Sequence, residues 1–402
     1  MTIHIDSEIG ELQDVILHRP GVELERMTPE NINEALYSDI LSPEIAGEDY
    51  TQLEGVLEKC AKVHYVSELT ERILADGAVR ANIIEETCRM HNVKLQETLS
   101  EMDNRTLAHI LIEGYGVPGD FTNNRYPIPP LYNLFFTRDA SAAVYDKVII
   151  NHMRHPVRMR ESFLMEQIFR HAFGAETFRT VEPSHCIEGG DLLVAREDVL
   201  LIGNGDRTSP EAVEDLARRF LQENKKQYIV VQELPKKPES FIHLDMVFTF
   251  LDRNACACFT PIICKPSPYR TTILKIAEGK ISRSEVPTLM DALKSLGFEL
   301  EAVSCGNPDD PWSQQREQWH SGANFFAFAP GKVIGYKRNR QTIAQLQEHG
   351  FDVIPAEDVV AGREHPDRHS RCVITIDSNE LPRGGGGGRC MTLPICRKKV
   401  NW

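Results

Sequence analysis

A chain of 402 residues with 41% hydrophobic and 26% charged side chains has ample material for a core. Its 45 basic against 59 acidic residues leave a formal charge of -14, the wrong sign for a general nucleic-acid or anionic-membrane binder, though such a field attracts small cations. No apolar run reaches membrane-spanning length, the first residues hold acids where a secretory leader needs bases, and ten scattered cysteines suit a reducing compartment. No nucleic acid or membrane partner is expected, and the expected location is cytoplasmic.

In chain order, residues 9–66 run from ELQDVILHRPG to VHYV and read as a partial copy of a unit that recurs further on. Residues 67–116 turn helical: Leu69, Ile73, Leu74 and then Ile83 and Ile84 recur at helical spacing. The expected organisation is one catalytic domain formed by 1–66 and 117–402, with 67–116 inserted as a helical domain. Four apolar–turn–apolar phrases follow, at 139–153, 191–205, 246–261 and 324–338, and read as β-hairpins. After most of them come a helix and another apolar strand, as in SPEAVEDLARRFLQEN before QYIVVQEL, and RQTIAQLQEHG before FDVIPA. Ser209 and Pro210 open the first of these helices as cap and first-turn proline. Five strand–strand–helix–strand units suggest a ring whose neighbours bury each other's faces. A single open α/β sheet has the same periodicity.

The polar residues that flank these units carry the chemistry. Asn133-Leu-Phe-Phe136-Thr-Arg138-Asp139 leads into the first full hairpin, Glu188-Gly-Gly-Asp191 into the next and His243-Leu-Asp245 into the third. After the apolar stretch RCVITID, read as a fifth strand, come five glycines, Gly384 to Gly388, then Arg389 and Cys390. In a closed ring these places converge on the axis. A cysteine nucleophile needs its thiolate, which a neighbouring histidine and a donor-rich glycine loop can stabilise. The glycines match neither a dinucleotide fingerprint nor a P-loop, and no Cys/His set has zinc spacing. No cofactor and no metal are therefore expected. Carboxylates without basic partners suggest a cationic substrate, and Asp139 and Asp245 suit the two-pronged hydrogen bonding of a guanidinium.

FTRD, EGGD, HLD and the closing R-C-M-T, with the long stretch REQWHSGANFFAFAPGKVIGYKRN at 316–339, resemble the arginine deiminases of the guanidine-modifying superfamily. That long stretch offers no obvious catalytic residue. The resemblance implies a five-bladed, pseudo-symmetric α/β propeller (the pentein fold) with a helical insertion. It implies Cys390 as nucleophile, His243 as general acid/base and Glu188 as its orienter, with Asp139 and Asp245 gripping the guanidinium. Arg158 and Arg207 resemble the pair that holds the substrate's α-carboxylate, and Asn133 and Phe136 resemble residues of the same pocket. Leu36 opens the presumed substrate-gating stretch Leu36-Tyr-Ser38-Asp39-Ile, where only one aspartate of a frequent pair remains. Arg383 and Arg389 are the candidates for an arginine that some relatives carry inside the glycine loop. The implied reaction converts L-arginine to L-citrulline and ammonia through a covalent amidino-cysteine, in an expected homo-oligomer. The alternatives are another guanidino substrate such as agmatine, amidino transfer to an amine, and a non-catalytic arginine binder.

Overall fold

The computed structural model describes residues 3–116, 126–223 and 226–402. The expected domain boundary at 117 and Asn224, the last residue of the expected SPEAVEDLARRFLQEN helix, lie outside the described residues. The fold is mixed α/β, with five small sheets among the described residues. Three sheets follow one recipe, an antiparallel hairpin, a helix, then a strand laid parallel on the hairpin's second strand. Ser141–Val144 and Lys147–Ile150 take up Thr177–Phe178 after the Met159–Ala172 helix. Leu192–Arg196 and Val199–Asn204 take up Gln227–Glu233 after Pro210–Gln222. Phe248–Asp252 and Ala255–Cys258 take up Glu301–Ser304 after Leu289–Ser295. Apolar runs of this length are sheltered on both faces, as parallel pairing requires.

Two sheets depart from the recipe. Cys372–Ile376, the RCVITID stretch, is not the strand of a fifth unit. It lies between Lys332–Tyr336 and Asp352–Pro355 and pairs parallel with both. The fifth sheet joins the two ends of the chain: Leu12–Leu17 pairs antiparallel with Leu393–Arg397 and parallel with Lys62–Tyr65. The partial copy seen at 9–66 lacks its hairpin partner because that partner is supplied by residues 393–397. A further hairpin, Thr271–Ala277 with Lys280–Val286, extends the second sheet to five strands.

Between Lys62–Tyr65 and Ser141–Val144 the described residues hold four helices and no strand. Asp76 caps Gly77–His91 by accepting from the Ala78 and Val79 amides, and Asp103 caps Asn104–Glu113 through the Thr106 amide. Their apolar stripes, among them Leu69, Ile73, Ile83, Leu107 and Leu111, share one buried cluster with Leu164, Met165 and Ile168 of the Met159–Ala172 helix. The helices are thus packed on the segment that carries Arg158. Among the described residues no helix is long and apolar enough to cross a membrane.

Candidate active site

Each polar motif ends in a tight turn just before a strand, and the turns are bonded to one another in a closed circuit. The Arg138 amide donates to the Cys390 carbonyl at 3.2 Å, and the Gly189 amide to the Asp139 carbonyl at 3.1 Å. The Leu244 amide donates to Asp191 Oδ1 at 2.8 Å, and Asn324 Nδ2 to the Asp245 carbonyl at 3.0 Å. The Cys390 amide closes the circuit on Asn324 Oδ1 at 3.2 Å. Five separate stretches of chain are therefore held in register around one point. All of these groups are buried, and buried backbone donors without such partners would be costly.

Cys390 Sγ lies 3.7 and 3.9 Å from the two carboxylate oxygens of Asp245. Burial raises the thiol well above its ordinary range, and the Asp245 and Asp139 carboxylates raise it further. His243 Nε2 is 2.9 Å from Glu188 Oε2, and its Nδ1 is 3.8 Å from Asp139 Oδ1. Burial alone would lower the imidazole pKa, but Asp139, Glu188 and Asp191 outweigh it and lift the pKa to about 9. Glu188 is fully buried. Burial pushes its pKa up, yet Arg207 and His243 pull it below the carboxylate range. The resting pair is thus a neutral thiol and an imidazolium.

The glycines beside these groups leave room rather than slack. A Cβ on Gly190 would stand 2.4 Å from His243 Nδ1, and one on Gly387 would stand 2.7 Å from Asn324 Oδ1. Asp245 holds Arg389 Nη1 at 2.8 Å, and the same guanidinium binds Glu8 at 2.9 Å and the Leu192 carbonyl at 2.7 Å. Arg389 therefore fixes Asp245 through Oδ2, the carboxylate oxygen nearer the thiol. Removing either partner of this buried pair would cost about 3–5 kcal/mol. Arg383 sits at the mouth instead, paired with Asp39 and with Glu380 Oε1 at 2.6 Å.

Eight of the ten expected site residues line one cavity of about 40 Å³: Leu36, Asn133, Phe136, Asp139, Arg158, Arg207, His243 and Cys390. Glu188 and Asp245 stand behind it, in contact with His243 and Cys390. The cavity opens to an outer mouth of about 240 Å³ that shares Leu36 and Arg207 with it and adds Arg383. Forty cubic ångströms suffice for a little water and not for an arginine side chain. The site is too narrow for that side chain, and two features keep it so. Arg158 donates to Asp139 Oδ2 at 2.7 Å and forks onto Glu161 Oε2 at 3.0 and 2.8 Å, so an internal guanidinium occupies one of the two expected substrate carboxylates. Leu36 is held at φ 67°, sparsely populated for a side-chain-bearing residue, and the Ala35 carbonyl beside it accepts Asn133 Nδ2 at 2.8 Å.

Asp139, Glu188 and His243 place ligand atoms within 4.8 Å of one another, a set that could hold a divalent cation. Against that use, Asp139 and Glu188 each already face an arginine, and an imidazole of pKa about 9 holds the proton that ligation requires it to lose. Asn324 escaped sequence reading because its motif, SGAN, has no reactive side chain. The available signal was position, since SGAN precedes the Phe326–Ala329 strand as HLD precedes its own strand. Asn324→Ala removes the acceptor shared by the Arg389 and Cys390 amides. Steady-state kinetics on it are expected to show kcat reduced about 10²-fold with a small change in KM, as for a reacting group displaced by about 1 Å.

The arginine deiminase family model matches residues 33–397. The chain is 34% identical to an arginine deiminase of Bacillus cereus (strain B4264) and 33% identical to one of Levilactobacillus brevis, each over 99% of both chains. Among solved structures it superposes on the N-terminal domain of ArgZ, described as an arginine dihydrolase from cyanobacteria, at 14% identity and a TM-score of 0.57, covering 96% of this chain and 97% of that one. It also superposes on SxtG, an amidinotransferase from Microseira wollei, at 15% identity and a TM-score of 0.57, covering 99% of this chain and 98% of that one. At such identities the structural matches speak for the fold alone.

Proposed function

The chain belongs to the arginine deiminase family, and we propose that Cys390 carries that family's reaction here, the hydrolysis of L-arginine to L-citrulline and ammonia. The observation that carries this reading is a buried thiol that lines one narrow cavity with Asp139 and His243 and contacts Asp245 behind it. Opening of the Leu36 stretch admits the substrate, and Asp139 exchanges Arg158 for the substrate guanidinium. Asp245 grips the same cation from the other side. The new positive charge offsets the two carboxylates that hold the thiol proton, so substrate binding lets Cys390 ionise, with its proton passing to solvent.

The thiolate then forms a bond to the guanidinium carbon, giving a neutral tetrahedral adduct. His243 donates its proton to one amino nitrogen, the C–N bond breaks, and ammonia leaves an amidino-cysteine cation. Neutral His243 takes a proton from the water that attacks this carbon, the C–S bond breaks, and citrulline departs. The proton freed by that collapse goes to ammonia, and the thiolate recovers its own proton as the products leave. One histidine serves both halves because its partners Glu188 and Asp139 stabilise the protonated form without trapping it. Rapid acid quench of enzyme mixed with arginine, followed by peptide mass analysis, tests this route. It should find Cys390 heavier by arginine less ammonia, and a complete absence of that adduct during turnover would overturn it.

Arg207 is the better placed of the two arginines for the substrate carboxylate. It borders both cavity and mouth, and its contacts to Glu188 at 3.4 Å and Asp206 at 3.6 Å are long, whereas Glu161 and Asp139 take up the Arg158 guanidinium at 2.8 and 2.7 Å. We expect Arg207→Ala to raise KM for arginine by on the order of 10–10²-fold, the loss of one charge-assisted contact, and to leave agmatine, which lacks the carboxylate, nearly unaffected. Equal losses on the two substrates would place the clamp elsewhere. Arg158→Ala would also penalise arginine more than agmatine.

We also read the five sheets as five blades around the hydrogen-bonded circuit of turns, with 67–116 as a helical insertion domain. The repeated hairpin–helix–strand recipe and the pairing of the two chain ends support that arrangement. A homo-oligomer in the cytoplasm is the setting proposed for the enzyme.

A further inference from the structure

Glu8 belongs to none of the motifs that carry the reaction, yet its carboxylate lies one residue removed from the thiol's nearest partner. Its segment is drawn inward by the other end of the chain. The His4 amide donates to the Ile395 carbonyl and the Arg397 amide to the His4 carbonyl, both at 2.9 Å, and Arg397 Nη1 donates to the Gly10 carbonyl at 2.7 Å. The buried Glu8 side chain faces three buried guanidiniums, Arg389, Arg138 and Arg397, and grips the first. Its Oε2 accepts from Arg389 Nε at 2.9 Å, and its Oε1 from Arg389 Nη2 and from the Val194 amide, both at 3.2 Å. Burial favours the neutral acid, but the arginines hold the pKa down to about 2, so Glu8 stays an anion.

Arg389 thus lies between two carboxylates. Its Nη1 donates to Asp245 Oδ2 at 2.8 Å, and that oxygen is 3.7 Å from Cys390 Sγ. One guanidinium shared by two anions neutralises neither in full, so the line Glu8–Arg389–Asp245 keeps a net negative charge that ends at the thiol. Without Glu8, Arg389 and Asp245 would form a neutral pair. Asp139, His243 and Tyr336 also stand around the thiol, with Arg158 and Arg207 across the cavity. Among the described residues Glu8 hydrogen-bonds to none of these five.

We propose that Glu8 is a positioning residue for the reaction at Cys390: by holding Arg389 from the far side it keeps that guanidinium from cancelling Asp245. It thereby governs both the ease with which the thiol gives up its proton and the hold of Asp245 on a substrate cation. Loss of the Glu8 charge moves the two in opposite senses. The thiol becomes more acidic, because Arg389 acts on it with its whole charge, and arginine is held less well, because Asp245 is already neutralised. The thiol effect needs no substrate and stands apart from the deiminase reading; the effect on arginine rests on it.

The test measures iodoacetamide alkylation of Cys390, assigned by peptide mass analysis, in wild type, Glu8→Gln and Glu8→Asp. Gln keeps an oxygen for the Val194 amide and removes the charge. Between about pH 7 and 9, Glu8→Gln should be alkylated about tenfold faster than wild type, the effect of making the thiol about one pH unit more acidic. Its KM for arginine should rise about tenfold. Glu8→Asp keeps the charge and should stay within about threefold of wild type in both measurements. Glu8→Gln/Arg389→Gln removes both charges and should be alkylated no faster than wild type, which also serves if Glu8→Gln alone does not fold. Unchanged alkylation in Glu8→Gln would overturn the proposal. So would equal acceleration in Glu8→Asp or in the double variant, which loosened packing would produce. An unmoved KM in Glu8→Gln would overturn the substrate half. If wild type does not turn over arginine, the deiminase reading fails and alkylation alone decides.

Discussion

Cys390→Ala is expected to lower kcat for L-arginine by on the order of 10⁵-fold, the scale seen when a nucleophile that works as part of a unit is deleted. Binding should survive. The carboxylates that would grip the guanidinium, Asp139 and Asp245, are held by Arg158 and Arg389 rather than by the thiol. The side chain lost is small and lies in a cavity already able to take water. Equilibrium dialysis of labelled arginine against the variant should therefore give an affinity near the wild-type KM, while the turnover assay reads background. Retained turnover would remove Cys390 from the chemistry. The raised thiol pKa adds a check on the intact protein. With the thiol neutral at rest, alkylation of free enzyme by iodoacetamide should be slow at neutral pH and accelerate as pH rises past the ordinary thiol value of 9.0.

The second large effect is at His243. His243→Gln keeps an amide near Glu188 but removes the proton carrier, and kcat should fall about 10³–10⁴-fold, the upper range for general acid–base catalysis. The same change alters the pH dependence of stability, and its sign follows from the environment. Asp139, Glu188 and Asp191 overcome burial and raise the imidazole from 6.5 to about 9 in the folded protein. A raised pKa means that the native state binds the proton more tightly than the unfolded chain. The stabilisation is fully present below pH 6.5 and is lost as pH rises through about 9, for a total of a few kcal/mol. Thermal melts of wild type and His243→Gln should therefore differ most at pH 6 and converge towards pH 9 and above. A constant gap would mean that the imidazole is neutral in the native site.

Much of this site was legible because its chemistry is local in sequence. FTRD, EGGD, HLD and the glycine run each stand directly before or after an apolar stretch, so a repeat sufficed to suggest that they meet. The four hairpins fold where apolar–turn–apolar spacing put them, from Ser141–Val144 with Lys147–Ile150 to Phe326–Ala329 with Lys332–Tyr336. What sequence could not supply is anything set by pairing between distant segments. Cys372–Ile376 carries the same apolar pattern whether it closes a fifth unit or lies between two strands of the fourth. The partner of Leu12–Leu17 is nearly four hundred residues away. Asn324 is invisible for a related reason: its amide does nothing reactive and matters only because two backbone amides and a carbonyl from elsewhere converge on it. Arg158 shows the reverse. Its place at the site was anticipated, but its bond to Asp139 depends on a narrowed site that composition does not encode.

The central claim is that this thiol-centred pocket removes one nitrogen from arginine and stops. The most direct test is to incubate purified protein with L-arginine and quantify citrulline, ornithine and ammonia in the same samples over time. Citrulline and ammonia rising in equal amounts, without ornithine, is the predicted result. Ornithine accompanied by two equivalents of ammonia, or no product from arginine at all, would contradict the account.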